Sequence, residues 1–458
     1  MYLWEKLEAA IKTNFPAHYA DEIEDISFEE LLIRVKVVGK QLDNCNLVKK
    51  NICIIEKSRQ FEAGICVLAC LSKNIIPIIL SNHYGKSKKV RCYKMFKPDL
   101  IIDDTQIVTF DEKQKESREN LQNIEIIMCT SGTSGVEKGA MFTGESIYFN
   151  IQEIQRYYKL EKRQKVLIAR PLSHCAVMVG EFFLALNQGA DLFFHDHKFL
   201  PMSIVKKIEE YKIDSIGLTP TLCFYMQRYY RLRNSISCLK KISLSGECFQ
   251  KQLADDIKTV FPQAEVYHVY GLTEAGPRVS YLPPELFYKY PKSVGYPLQG
   301  TKIKILNQSQ NGVGEIYVKS KSLMKGYFGD LKKLKEVEWL KTGDLGYFKD
   351  NRLYITCRQD DMLIKAGMNI YPTEIEELLN QMPEIKESYV YGIKGKTGDD
   401  IIAEIVLENS MVCESDIYRA IGKNMPQYLF PHKIKIVQEL QKTGTGKIKR
   451  RHNNEDME

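Results

Sequence analysis

Short apolar runs alternate with helical patterns through the first three-quarters of this chain, and that alternation restricts the fold more than any other feature. Val166-Leu167-Ile168-Ala169, Ile213-Asp214-Ser215-Ile216-Gly217-Leu218, Ile242-Ser243-Leu244-Ser245 and Val266-Tyr267-His268-Val269-Tyr270 read as buried strands. Ala176 to Leu186 and Phe249 to Val260 read as helices between them. Strands and helices in alternation predict a layered α/β domain whose ligand loops leave the carboxyl ends of its strands. From Ser293 to Tyr354 the pattern changes to short β segments broken by glycine, such as Gly314-Glu315-Ile316-Tyr317-Val318, which predicts a β-rich subdomain. After Arg358 comes a compact tail with helices near Thr373–Met382 and Glu414–Lys423. A chain of 458 residues suggests two or more domains.

One loop carries chemistry on its face. Cys129-Thr130-Ser131-Gly132-Thr133-Ser134-Gly135-Val136-Glu137-Lys138-Gly139 packs glycines, hydroxyls and one lysine directly after the apolar run Ile124-Glu125-Ile126-Ile127-Met128. Glycines free the backbone to turn N–H groups toward an anion, and hydroxyls and an ammonium add donors. The loop reads as a phosphate grip, with a flexible surface loop as the plain alternative. It is not a P-loop, because Gly139 follows Lys138 where that motif needs Ser or Thr. The one Walker-like lookalike, Gly444-Thr445-Gly446-Lys447, has Gln441 in place of the first glycine and Ile448 after the lysine.

The loop resembles the phosphate loop of the adenylate-forming superfamily, Thr-Ser-Gly-Thr-Thr-Gly-x-Pro-Lys-Gly, which includes acyl-CoA synthetases, peptide-synthetase adenylation domains and luciferases. Ser134 replaces a Thr and keeps the hydroxyl; Glu137 replaces the proline and sets a carboxylate beside a phosphate grip, where it is expected to weaken or slow nucleotide binding. Other pieces follow in register: Tyr270-Gly271-Leu272-Thr273-Glu274, Lys341-Thr342-Gly343-Asp344, Arg358-Gln359-Asp360-Asp361, Lys365 to Glu376, and Thr445-Gly446-Lys447-Ile448. By this resemblance, residues 1–358 form an N-terminal domain that binds ATP and an acid. Residues 359–458 form a small mobile α+β domain that carries the catalytic lysine. The hinge falls at Asp360.

The resemblance implies ATP, Mg²⁺ and a thiol acceptor. Thr130, Ser131, Gly132, Thr133, Ser134, Gly135 and Lys138 would cradle the β- and γ-phosphates. Thr273 would touch the α-phosphate and Glu274 would help hold Mg²⁺. Gly246 and Glu247 would line the adenine pocket, Tyr270 with Gly271 would lie on the base, and Asp344 with Arg358 would take the ribose hydroxyls. Lys447 would bridge carboxylate and phosphate as the anhydride forms. Plain readings stand beside these: Asp344 as a turn cap, Glu274 as a carboxylate at a helix start, and Lys447 as a solvated tail residue.

For the acid, the same register places His174, Cys175, Val179, Gly217, Ser243, Ser245, Val269, Pro277 and Arg278 at the pocket. His174 could instead be a buried structural histidine. Cys175 stands where amino-acid-activating relatives carry an aspartate that pairs with the α-ammonium, so an ordinary α-amino acid is disfavoured. The small or apolar wall suits an aryl or medium acyl acid. Arg278 is read as facing solvent or a structural partner, with a second carboxylate or a phenolate oxygen as the other option. The expected product is an acyl-CoA. Loading the phosphopantetheine of a separate carrier protein is the alternative, and a non-catalytic acyl-nucleotide-binding protein is a third reading.

Composition narrows the setting. The net charge of +7 is spread along the chain, and the one basic run, Lys447 to His452, has no aromatic platform beside it, so nucleic acid is not the expected partner. Twelve scattered cysteines without a Cys-x-x-Cys pair, and no secretory signal after Met1, fit reduced thiols in the cytoplasm. Ser72, Lys73 and Asn74 interrupt the apolar stretch from Ala63 to Leu80, so no membrane span is expected there. His195-Asp196-His197 reads as a polar surface segment rather than a metal site. No fused carrier domain is expected beyond the Lys447 motif. The region ahead of the phosphate loop is shorter than is usual in that superfamily, which thins the subdomain or alters a dimer surface and leaves a homodimer open.

Overall fold

The computed structural model describes residues 1–45, 51–81, 84–110, 121–130, 138–196, 200–230, 236, 238–246, 249, 251–329, 338–365, 368–395, 398–408, 414–442 and 448. Its centre is a run of six parallel strands in the order Glu265–Tyr270, Lys241–Ser245, Ser215–Leu218, Lys165–Ile168, Asp191–Phe194 and His18–Ala20. All five residues of Lys241–Ser245 are buried, as expected of a parallel strand covered on both faces. Period-two alternation divides strand Lys165–Ile168 between two cores: Val166 and Ile168 face one, Leu167 the other. Helix Gly144–Tyr158 covers the first face with Ile147, Ile151 and Ile154. Thr143 caps its start by accepting the Ser146 amide, and Lys159 ends it in a left-handed conformation. Helices Pro201–Tyr211, Pro220–Tyr230 and Lys251–Val260 cover the second face.

Beyond Glu265–Tyr270 the sheet turns antiparallel through Ser280–Leu282, Ser293–Pro297, Arg352–Arg358 and Leu340–Lys349, ending at the hairpin Gly314–Lys319 and Lys302–Leu306. This is the β-rich segment that the glycine-broken pattern predicts. A second sheet, Ile76–Ile79, Ile52–Ile55, Leu100–Ile102 and Ile107–Thr109, lies ahead of the phosphate loop. Strand Ile126–Thr130 leads into that loop, but a second strand, Lys138–Phe142, leaves it, so Thr130 and Lys138 face each other across a hairpin. After Arg358, five strands and helices Pro372–Asn380 and Glu414–Asn424 close around a separate core of Leu363, Ile375, Ile405, Ile417 and Ile421. The large α/β domain and the small α+β domain are therefore both present.

The two parts meet at named contacts. Thr373 Oγ1 donates to the Thr356 carbonyl at 2.7 Å. Lys292 pairs with Glu377. Glu387 accepts from the Tyr225 phenol and from Lys442, whose Nζ lies 2.9 and 3.0 Å from its two oxygens. Of the segment read as polar surface, His195 is 2% exposed and departs from that reading, Asp196 is exposed and accepts the Gln60 backbone amide at 2.7 Å, and His197 lies outside the described residues. Among the described residues no helix is long and apolar enough to cross a membrane.

His268 gives the fold a pH dependence. It is buried against Phe249, its Nδ1 faces the Ser293 carbonyl at 2.9 Å, and desolvation lowers its pKa to about 4. An unfolded histidine takes up its proton near pH 6.5. Native stability from the neutral ring is therefore complete above that value and is lost as pH falls through the folded value, by roughly 3 kcal/mol. Thermal melts of wild type and His268→Gln at neutral pH and near pH 4.5 test this. The wild type should lose more stability on acidification than the variant, and equal losses would count against the assignment.

Candidate active site

The described motif side chains gather where the parallel strands end. Glu265–Tyr270 stops at Tyr270, and the chain turns through Gly271 into a short helical turn, Thr273–Ala275. Strand Ile126–Thr130 packs on that turn. Glu274 Oε1 accepts the Tyr327 phenol at 2.7 Å, and Lys138 Nζ sits 5.1 Å from the centre of the Tyr327 ring. Tyr327 thus links the lysine at the foot of the phosphate loop to the carboxylate of the helical turn. It belongs to none of the sequence motifs and no spacing points to it.

Asp344 reaches the same place from the antiparallel end of the sheet. It is 8% exposed; the Tyr270 phenol donates to Oδ2 at 2.6 Å and Arg358 Nη1 donates to Oδ1 at 3.0 Å. Register explains the second contact, because Asp344 and Arg358 are direct partners across two antiparallel strands. Gly343, with φ +75°, permits it, since a Cβ there would lie 3.0 Å from Arg358 Nη2 in a conformation that side chains disfavour. Burial raises the Asp344 carboxyl above the ordinary aspartate value, with Arg358 acting in opposition. Burial and the adjoining carboxylate push the Tyr270 phenol well up, so it remains a protonated donor. The motif residues Tyr270, Asp344 and Arg358, dispersed in sequence, form one hydrogen-bonded cluster.

The residues assigned to the acid lie behind this cluster. Cys175 is buried, its Sγ 3.9 Å from the Thr273 carbonyl, and desolvation pushes its thiol well up. His174 is exposed at the start of the Cys175 helix, not buried. That helix widens into a π-helical stretch, Met178–Phe183, which carries Val179 and Glu181; such stretches are common at functional sites. Gly217, Ser243 and Arg278 line a cavity of about 10 Å³. Arg278 is 3% exposed, so it does not face solvent. The Asn150 side chain clamps its backbone from both sides, donating to the carbonyl at 3.0 Å and accepting from the amide at 3.2 Å. Its guanidinium turns inward, with Nη2 3.4 Å from Ser243 Oγ. Ser245 accepts from Arg170 Nη1 at 3.1 Å.

Arg170 and Glu181 stand beside these residues and are missed by the motif register. They form a buried ion pair at 2.5 Å. A Cβ on Gly217 would lie 2.2 Å from Glu181 Oε1 and 2.6 Å from Arg170 Nη2, so glycine at that position is what admits the pair. The available sequence signal is the carboxylate of Glu181 set between Gly180 and Phe182-Phe183 in an otherwise apolar helix. Val269 is buried, and Pro277 directly precedes Arg278. Gly246 follows Ser245 at the strand end with φ +99°. Ser131, Gly132, Thr133, Ser134, Gly135, Glu247 and Lys447 lie outside the described residues; Lys442 and Ile448, which flank the Lys447 motif, pair with each other. Asp360 falls in a short helical turn, Gln359–Asp361, between Arg358 and the next strand.

Similarity to known proteins runs along the whole chain. Among curated relatives, a putative long chain fatty acid-CoA ligase of Staphylococcus aureus (strain COL) is 26% identical over 96% of this chain and 94% of that protein. A 2-succinylbenzoate–CoA ligase of Bacillus licheniformis is 28% identical over 88% of this chain and 82% of its own length. The O-succinylbenzoate coenzyme A synthetase of Bacillus subtilis, solved with AMP, superposes with a TM-score of 0.84 at 23% identity, covering 98% of this chain and 97% of that one. ATP-bound MatB of Rhodopseudomonas palustris superposes with 0.85 at 19% identity, with the same coverage. The AMP-binding enzyme C-terminal domain matches residues 374–447. The AMP-binding enzyme family itself matches residues 7–328, which hold the Ile126–Thr130 and Lys138–Phe142 hairpin, the Tyr270–Glu274 turn and the cavity beside Arg278, and the chain belongs to that family.

Proposed function

We propose that this chain is an AMP-forming acid–CoA ligase. A carboxylate oxygen attacks the α-phosphorus of ATP, pyrophosphate leaves, and the thiol of CoA then attacks the acyl carbon, loses its proton and displaces AMP. The observation that carries this reading is the convergence of the Asp344–Tyr270–Arg358 cluster with Lys138, Tyr327 and Glu274 at the strand ends. The names of the curated relatives support thioester formation as the second step.

The residues fit the reactants. Asp344 supplies a buried, oriented acceptor for ribose hydroxyls, and Arg358 and Tyr270 hold it in place. Lys138 and the Thr130 end of the hairpin supply charge and a hydroxyl for the phosphates. Glu274 offers the hard oxygen donor that magnesium takes beside substrate phosphates. When bound, that ion would neutralise phosphate charge. We assign Thr273 to the α-phosphate, Gly246 and Glu247 to the base, and Lys447 to the forming anhydride, as the motif register implies. Asp360 is our choice for the hinge and 358/359 for the domain boundary, because the short turn there separates the last strand of the large sheet from the separate C-terminal core. The ten described cysteines are free thiols, which supports a reducing compartment.

The test is pyrophosphate release with ATP and Mg²⁺ over a panel of aryl acids, fatty acids, dicarboxylic acids and amino acids, with and without CoA. Continuous turnover that requires both CoA and one acid class is the expected result. A single burst indifferent to CoA would transfer the acyl group to a carrier-protein thiol instead. No release with any acid would end the ligase reading.

A further inference from the structure

Two charged side chains, Glu181 and Arg278, line the cavity and Arg170 stands on Glu181, and these charges do not balance. Arg170, Glu181 and Arg278 are 6%, 5% and 3% exposed, giving two cations and one anion in a buried space. Glu181 is taken by Arg170. Among the described residues no carboxylate pairs with Arg278, whose guanidinium has Ser243 Oγ at 3.4 Å and the Tyr157 phenol as neutral company. The nearest other buried carboxylate on the covering helix, Glu153, is committed to Arg156. Arg278 Nε, Arg170 Nε and Glu181 Oε2 are buried without hydrogen-bond partners. Buried polar atoms are ordinarily satisfied, and a buried cation is ordinarily paired, so this cluster is built to receive something.

We propose that Arg278 recognises a second carboxylate at the far end of the acid, so that the substrate is a short dicarboxylic acid rather than a long-chain fatty acid. This rests on the ligase reading above. An entering carboxylate would bring the cluster to electrical balance and give the Arg278 fork a two-pronged acceptor. The Asn150 clamp fixes the backbone of Arg278, and the close approach of Gly180, where a Cβ would lie 3.1 Å from Nη2, leaves room for the guanidinium to lie flat against the helix. The cavity of about 10 Å³ holds a group near the size of one water beside Arg278, about that of one carboxylate oxygen. An alkyl tail would also leave the guanidinium desolvated and unpaired.

The experiment compares pyrophosphate release for matched pairs: butyrate and succinate, valerate and glutarate, benzoate and phthalate. At least one diacid should exceed its monoacid in kcat/KM by about 100-fold or more, as sites built around a polar group discriminate. Arg278→Met should erase that ratio, and Arg278→Lys should keep part of it; ATP binding checks that each variant is folded. Monoacids turned over as well as their diacids, or a ratio unchanged in Arg278→Met, would overturn the inference while leaving the ligase reading intact. Release with a long-chain fatty acid and with none of these six would likewise overturn the inference and leave the ligase reading intact.

Discussion

Replacing Lys447 by alanine is expected to lower pyrophosphate release by about 10²- to 10³-fold, the cost of removing one donor aimed at charge that develops in the transition state. ATP binding should be nearly unchanged, because the cradle proposed around Lys138, Asp344 and Arg358 lies ahead of the proposed boundary at 358/359. Carboxylate attack on phosphorus brings two anions together. An ammonium between them acts on that encounter and much less on the resting nucleotide, so the loss falls on kcat. The described flank of the motif supports delivery of Lys447 by the small domain. Lys442 is held on Glu387 and the Tyr225 phenol, on the helix Pro220–Tyr230 of the large domain, while its backbone pairs with Ile448. Rapid-quench measurement of adenylate formation with titrated ATP decides the matter. Wild-type rates in the variant would return Lys447 to the reading of a solvated tail residue.

The layered domain was legible because its parallel strands are covered on both faces, and such strands must be near-continuous apolar runs. Lys241–Ser245 and Glu265–Tyr270 stand within a residue of where Ile242–Ser245 and Val266–Tyr270 read as strands. The β-rich change of pattern near Ser293 and the helices at Pro372–Asn380 and Glu414–Asn424 were legible for the same local reason. What local pattern does not carry is pairing across distance. Tyr270 and Asp344 stand in separate motifs, and nothing in either says that a phenol will donate to that carboxylate at 2.6 Å. Arg278 could be read as facing solvent because an arginine is seldom fully buried; the Asn150 clamp, made by a helix far earlier in the chain, holds its backbone where the side chain turns inward. Glu181 was passed over because a helix pattern of ordinary period hides it, whereas the π-helical turn at Met178–Phe183 alters that period locally.

The Arg170–Glu181 pair supplies the largest expected effect on stability. Glu181→Leu removes the carboxylate but leaves Arg170 buried, with only Ser245 Oγ at 3.1 Å to hold a full charge. Such a half-broken buried pair costs about 3–5 kcal/mol. Arg170→Met should cost a similar amount for the mirrored reason. The double variant should recover most of both losses, because two apolar side chains of similar bulk need no partner, and replacing a whole buried pair is often neutral or stabilising. Gly217 sets the limit on that recovery, since its missing Cβ shapes the space the pair occupies and a leucine must fit the same gap. Denaturant unfolding of the four proteins measures the coupling directly. If Glu181→Leu unfolds at the same denaturant concentration as wild type, the pair is not the balanced unit described here. If the double variant is as unstable as the two single losses added together, the penalty comes from misfitted packing and not from the orphaned charge.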